Sequence, residues 1–121
     1  GNQLKSLAGG GGDAAFADNG DGTYRITGKG KLDIVILNDA HPVYPRRARV
    51  AGYSISIRVR VRFVVDEKGD VIRSKVMTSD IPPLDFEQAA LKAIRAMKFR
   101  PIKRLGVPVK VTFEKAIIFR P

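Results

Sequence analysis

Ser54-Ile55-Ser56-Ile57-Arg58-Val59-Arg60-Val61-Arg62-Phe63-Val64-Val65 decides how the rest of the chain is arranged. Ile55, Ile57, Val59, Val61, Phe63 and Val65 fall on one parity, and Ser54, Ser56, Arg58, Arg60 and Arg62 on the other. Successive side chains of an extended chain point to opposite faces, so this period of two predicts a half-buried strand: one face on a core, the other carrying three arginines. Asp66-Glu67-Lys68-Gly69 supplies a hairpin loop with Gly69 available for positive φ, and Asp70 to Thr78 returns as a second strand. There Ile72, Ser74 and Val76 oppose Val71, Arg73, Lys75 and Met77, a poorer alternation that predicts a bulge or an edge position.

Downstream, Pro82-Pro83 ends the hairpin, and Asp85 and Gln88 are spaced as a capping box with Glu87 in the first turn. Phe86, Ala90, Ala93, Ile94 and Met97 recur at helical spacing while Lys92, Arg95 and Lys98 fall outside that stripe. The expectation is an amphipathic helix of about three turns that stops at Pro101. After a Gly106-Val107-Pro108 turn, Val109, Val111 and Phe113 alternate with Lys110, Thr112 and Glu114 as a last strand. Lys115 falls on the apolar parity and Ala116 to Phe119 follow no clean period, so a bulge or the end of the packed face is expected near Glu114 to Ala116.

Strand, strand, helix, strand predicts an α+β fold built on a three-stranded, antiparallel-type sheet. A right-handed crossover through the helix sets the strand order 2-1-3 with the helix on one face. The best-patterned strand is then central. The third strand presents unpaired backbone groups along an edge, which must be protected or used to pair with another chain.

Gly1 to Gly22 is rich in Gly and Ala and ends in Asn19-Gly20-Asp21-Gly22, the composition of a flexible linker. Asp18 to Asp21 reads as a turn rather than a calcium loop, because Gly20 stands where a ligand is needed and no Glu closes the site. Thr23 to Thr27 and Lys31 to Leu37, separated by Gly28-Lys29-Gly30, read as a hairpin within residues 23–40. His41-Pro42 and Tyr44-Pro45 bias residues 41–45 toward an extended strip. Pro45 suits the first position of a short helix, Arg46 to Ala51, with Gly52 as its stop and His41 exposed.

The 121 residues hold no Cys and one His, which excludes thiol catalysis, Cys-based metal sites and multi-His motifs. No apolar run reaches the roughly 18 residues of a membrane span, and no signal peptide directs export. Without a nucleophile elbow, phosphate loop or paired carboxylates, neither an enzyme nor a cofactor is expected. The net charge of +10 is unevenly placed: residues 1–40 carry four basic and five acidic side chains, so residues 41–121 account for +11. A field of that sign favours anionic partners, although three arginines on one strand are more often solvated charge than a site.

Five spaced pieces then carry a family likeness: Tyr44-Pro45-Arg46-Arg47-Ala48-Arg49-Val50-Ala51-Gly52; the Arg58 to Asp66 strand with its Glu67-Lys68-Gly69 turn; Phe86 followed by Ala89-Ala90 and Ile94; Lys98-Phe99-Arg100-Pro101; and Gly106-Val107-Pro108-Val109. As a combination, residues 41–121 resemble the C-terminal domain of the TonB family. The resemblance implies a periplasmic domain of a Gram-negative energy transducer, anchored in the inner membrane by an N-terminal helix absent from this sequence. Such transducers work with the proton-driven ExbB and ExbD subunits and grip the TonB box of outer-membrane transporters. Implied peptide-binding residues are Val109, Lys110, Val111, Thr112, Phe113, Glu114, Lys115 and Ala116, as an edge receiving an added strand. Val43, Tyr44 and Pro45 resemble the segment that contacts the box region, although Tyr44 and Pro45 read equally well as fixing the helix entry. Peptidoglycan contact and a homodimer through exposed edges complete the implied partners. The alternative is a basic nucleic-acid-binding module, which the charge permits. Only 7% of residues are aromatic and the arginine face has no stacking platform, so no nucleic acid is expected.

Overall fold

A computed structural model describes residues 14–121. In chain order the elements are β1 (Phe16–Asp18), β2 (Tyr24–Ile26), β3 (Ile36–Asn38), α1 (Arg46–Val50), β4 (Ile57–Val65), β5 (Val71–Val76), α2 (Phe86–Arg95), β6 (Lys98–Phe99), β7 (Lys103–Arg104), β8 (Val107–Pro108) and β9 (Val111–Phe119). The mixed α+β class stands, but the sheet has five strands in the order β1-β2-β9-β4-β5, not three. β4 lies between β9 and β5 and is antiparallel to both, while α2 packs on β4 and β5.

The parity of β4 faces as its pattern requires. Val59, Val61, Phe63 and Val65 are buried, while Arg58, Arg60 and Arg62 are exposed on the opposite face. β5 is an edge strand with a register shift opposite Val64 and Val65, so its poor alternation reflects both an edge and an irregularity. No such shift interrupts β4 and β9, whose register runs unbroken from Ile57↔Phe119 to Val65↔Val111. The bulge expected near Glu114 to Ala116 is therefore absent. Lys115 stays on the core face opposite Val61 and its amine reaches to 3.9 Å from Asp39, so a long aliphatic stem resolves what looked like a break in the pattern.

The two extra strands come from upstream. Part of the expected linker, residues 1–13, lies outside the described residues; its remainder forms β1 and a turn. β1 pairs antiparallel with β2, Phe16↔Ile26 to Asp18↔Tyr24, so the hairpin spans 16–26 rather than 23–37. The run at Lys31 to Leu37 does not return on Thr23 to Thr27; its end, as β3, pairs instead with β6. The turn is closed by its own carboxylates. Asp18 Oδ1 accepts the Gly20 amide at 2.8 Å, and Asp21 Oδ1 accepts the Thr23 amide at 3.0 Å and hydroxyl at 2.6 Å. These bonds hold the Asp21 carboxyl below its ordinary range, the Thr23 hydroxyl contributing most.

Phe86, fully buried, centres the core under α2, with the rings of Tyr44 and Phe119 each 5.3 Å away and Tyr53 at 6.3 Å. A second stack joins Phe113 to Phe63 at 5.7 Å and to Phe99 at 5.5 Å. The capping box does not form: Asp85 has φ 70° and makes no side-chain cap bond, because a cap carboxylate reaches back only from an extended backbone. Its carboxylate instead lies 3.6 Å from Arg47. α2 also ends at Arg95, well before Pro101. The intervening backbone is claimed by tertiary partners, with the Phe99 amide on the Gly69 carbonyl and the Arg100 amide on the Val35 carbonyl, both at 2.9 Å. Pro45 flanks α1 with φ −61° and ψ 135° rather than occupying its first turn, and its carbonyl accepts the Ala48 and Arg49 amides.

Two substitutions test this packing. Phe86→Ala is expected to cost about 3–5 kcal/mol in urea unfolding, as a large ring leaves a closed core. Gly69→Ala should also lower the urea midpoint, because Gly69 has φ +90° and an added Cβ would collide with the Phe99 carbonyl.

Candidate functional site

Two observations fix which backbone groups of β9 look outward. The Arg60 carbonyl accepts the Met77 amide at 2.8 Å and the Arg60 amide donates to Thr78 Oγ1 at 2.7 Å, so even-numbered residues of β4 address the β5 side. Odd-numbered β4 residues therefore address β9, and through the register their partners are the odd-numbered residues of β9. Independently, the Lys110 carbonyl accepts the Tyr24 amide at 2.9 Å, which places the even-numbered groups on the β2 side. Thr112, Glu114, Ala116 and Ile118 thus direct amide and carbonyl away from β4. β2 covers only the start of this rim, pairing Tyr24↔Val111 and Arg25↔Thr112 in parallel. Beyond Thr112, no strand among the described residues pairs with the outer side of β9.

The rim carries its own charge pattern. Glu114 bridges two arginines of β4, accepting from Arg62 at 2.7 and 3.1 Å and from Arg60 at 3.1 Å. These bonds, Arg62 first and Arg60 second, hold the Glu114 carboxyl below its ordinary range. On the other face, the Lys115–Asp39 approach brings the strip before α1 alongside the middle of β9. His41 and Val43 of that strip and Lys92 and Ala93 of α2, with Ala96 just past its end, line a cleft of about 280 Å³.

The residues expected to contact a peptide separate into three groups. Val43 is exposed, but Tyr44 and Pro45 are buried. The Tyr44 hydroxyl donates to the Ile55 carbonyl at 2.9 Å and Arg49 lies 5.2 Å over its ring, so Tyr44 acts as the core pin of the helix entry and its hydroxyl is occupied. Val109, Lys110, Val111 and Thr112 are already engaged: the Val109 amide donates to the Ile102 carbonyl at 2.9 Å, and the next three sit beside β2. Of the expected edge, Phe113, Glu114, Lys115 and Ala116 lie beyond the hairpin. The open stretch continues through Ile117, Ile118 and Phe119, beyond the expected edge because their apolar run lacks a period of two.

Among the described residues no group of three or more His, Asp or Glu could hold a metal ion. None of their helices is long and apolar enough to cross a membrane. What the described residues bring together here is a half-capped sheet edge whose exposed chemistry is its own backbone. The family model described as "Gram-negative bacterial TonB protein C-terminal" matches residues 40–121, and the chain belongs to that family. A similar solved structure is the solution NMR structure of the Pseudomonas aeruginosa TonB CTD, 27% identical with a TM-score of 0.53, covering 72% of this chain and 87% of that one. No curated protein matches the chain.

The Glu114 bridge makes a signed prediction. Because its carboxyl is lowered in the folded state, its contribution to stability is present above the ordinary glutamate pKa and is lost as pH falls through the lowered value. In a carboxyl NMR titration, Arg62→Gln should raise the Glu114 midpoint back toward the ordinary glutamate range. Arg60→Gln should raise it less; an unmoved midpoint in both variants would mean that the bridge is not made in solution.

Proposed function

We propose that this chain is the periplasmic receiving domain of a TonB-type energy transducer, binding the TonB box of an outer-membrane transporter by strand addition to β9. The observation that carries this is the row of outward backbone groups at Glu114, Ala116 and Ile118, left beside a ladder that is fully paired on its other side. An extended peptide laid there gains main-chain hydrogen bonds, and its alternate side chains meet the two faces of the sheet. Membership of the family supports the wider setting: an inner-membrane anchor, ExbB and ExbD as the source of movement, and transport as the outcome. The basic surface of residues 41–121 suits an acidic residue in or near the box. Binding that works through backbone bonds needs no catalytic group or cofactor.

Proline scanning along β9 tests the mode of binding. Ala116→Pro deletes an outward donor and should weaken a TonB-box peptide at least tenfold in calorimetry while barely moving the unfolding midpoint. Ile117→Pro deletes an inward donor to β4, leaves a buried carbonyl unmatched and should cost about 1–3 kcal/mol of stability. Normal peptide affinity in Ala116→Pro would exclude this edge.

A further inference from the structure

We propose that the β1–β2 hairpin is a register stop for the strand that docks on β9, and that Arg25 at its tip of contact receives a carboxylate carried by that strand. The inference rests on the docking reading above and adds what that reading lacks: where the guest must start, and which side chain is recognised there. The hairpin lies outside the stretch, residues 40–121, matched by the family model.

Backbone pairing carries little sequence information. On a uniform edge a guest strand can shift by two residues and keep both its bonds and its facing. A fixed obstacle removes that freedom. The hairpin is well anchored for this purpose: Ala15, Phe16 and Thr23 are buried, and the Thr23 and Thr112 hydroxyls meet at 2.9 Å. Phe16 and Tyr24 pack edge to face at 5.8 Å, with the Arg104 guanidinium 5.2 Å over the Tyr24 ring. β2 then leaves β9. Its pairing ends at Arg25↔Thr112, whereas the ladder with β1 on its other side continues, the Thr27 amide donating to the Ala15 carbonyl at 2.9 Å. A guest paired at Glu114, Ala116 and Ile118 therefore meets the chain at Ile26 and Thr27 end-on and cannot slide toward Val111.

The fork between β2 and β9 opens a cleft of about 590 Å³ whose lining includes Asn19, Asp21, Arg25, Arg62, Thr112 and Glu114. Both carboxylates in it are engaged, Asp21 by Thr23 and Glu114 by Arg60 and Arg62. Arg25 differs. Its guanidinium donates to the neutral Asn19 Oδ1 at 2.9 Å and makes no ion pair among the described residues. A guest side chain beside Glu114 on this face lies next to that guanidinium, whose fork of donors matches a carboxylate.

The test uses the full chain and two synthetic TonB-box peptides, one with a Glu at the hairpin-proximal end and one with Gln in its place. The native chain should bind the Glu peptide roughly tenfold more tightly, and Arg25→Gln should bring the ratio to about one. Amide exchange in the bound state should show new protection at Glu114, Ala116 and Ile118, with Tyr24 and Thr112 unchanged. Binding with no preference in the native chain, or exposure of the Tyr24 amide on binding, would overturn the register stop while leaving strand docking intact. No binding of either peptide, with β9 signals unmoved, would remove the docking reading and this inference together.

Discussion

The continuous ladder between β4 and β9 is the constraint on which the rest depends. Nine residue pairs run from Ile57↔Phe119 to Val65↔Val111 without a slip. Because side chains alternate at every step, that single register decides which residues build the core under α2, which arginines face away, and which backbone groups of β9 look outward. A slip of one residue would carry Val59 and Val61 to the exposed face and bury Arg60. The cost of burying unpaired guanidinium groups is what makes the register unambiguous.

That dependence explains what could be read from sequence. β4 announces itself because one face is apolar and the other cationic, so burial and solvation act in the same direction at each position. The turn at Asp66 to Gly69 and the stripe through Phe86, Ala90 and Ile94 are legible for the same local reasons. Asp85 misleads because a capping box depends on backbone angles as well as residue spacing, and its positive φ aims the carboxylate at Arg47 instead. Lys98 and Phe99 continue the helical pattern, yet Gly69 and Val35 claim the backbone of Phe99 and Arg100 from distant parts of the chain. Such competition between local and tertiary hydrogen bonds leaves no mark in a window of sequence.

The site was legible as a location and less so as a set of residues. A last strand beside the central one follows from connection handedness alone; that it would be an edge holds only from Phe113 onward, since β2 places β9 inside a five-stranded sheet at its start. That Val111 and Thr112 are paired does not follow: Thr23 to Thr27 reads as a strand, but with Lys31 to Leu37 as its partner, while β1, which pairs with it instead, lies in the Gly-rich stretch of linker composition. β1 has too few residues for periodicity to register, and what holds its hairpin with β2 is specific: Phe16 against Tyr24, and hydroxyl against hydroxyl between Thr23 and Thr112. Tyr44 reads from sequence equally well as a contact residue and as a pin for the helix entry. In the fold its ring closes the core beside Phe86 and its hydroxyl satisfies the Ile55 carbonyl.

An exposed strand edge recruits partners without discrimination, so a domain built around one must limit it. Here the limits come from both ends of the sequence. The hairpin takes the first outward position, at Thr112, and the charges of Glu114 and Lys115 sit in the middle of what is left, on opposite faces. Pairing β9 with a second copy of itself in antiparallel register around Glu114 and Lys115 would set like charges close together on each face, which disfavours that self-association more than it disfavours an uncharged or complementary guest. In the proposed transducer this matters mechanically. A guest held by successive backbone bonds and pulled along its length shares the load across the row, whereas a guest free to slip would dissipate it one register at a time. Under that proposal, a rim closed at one end and charged in its middle would serve selectivity and force transmission through the same few residues.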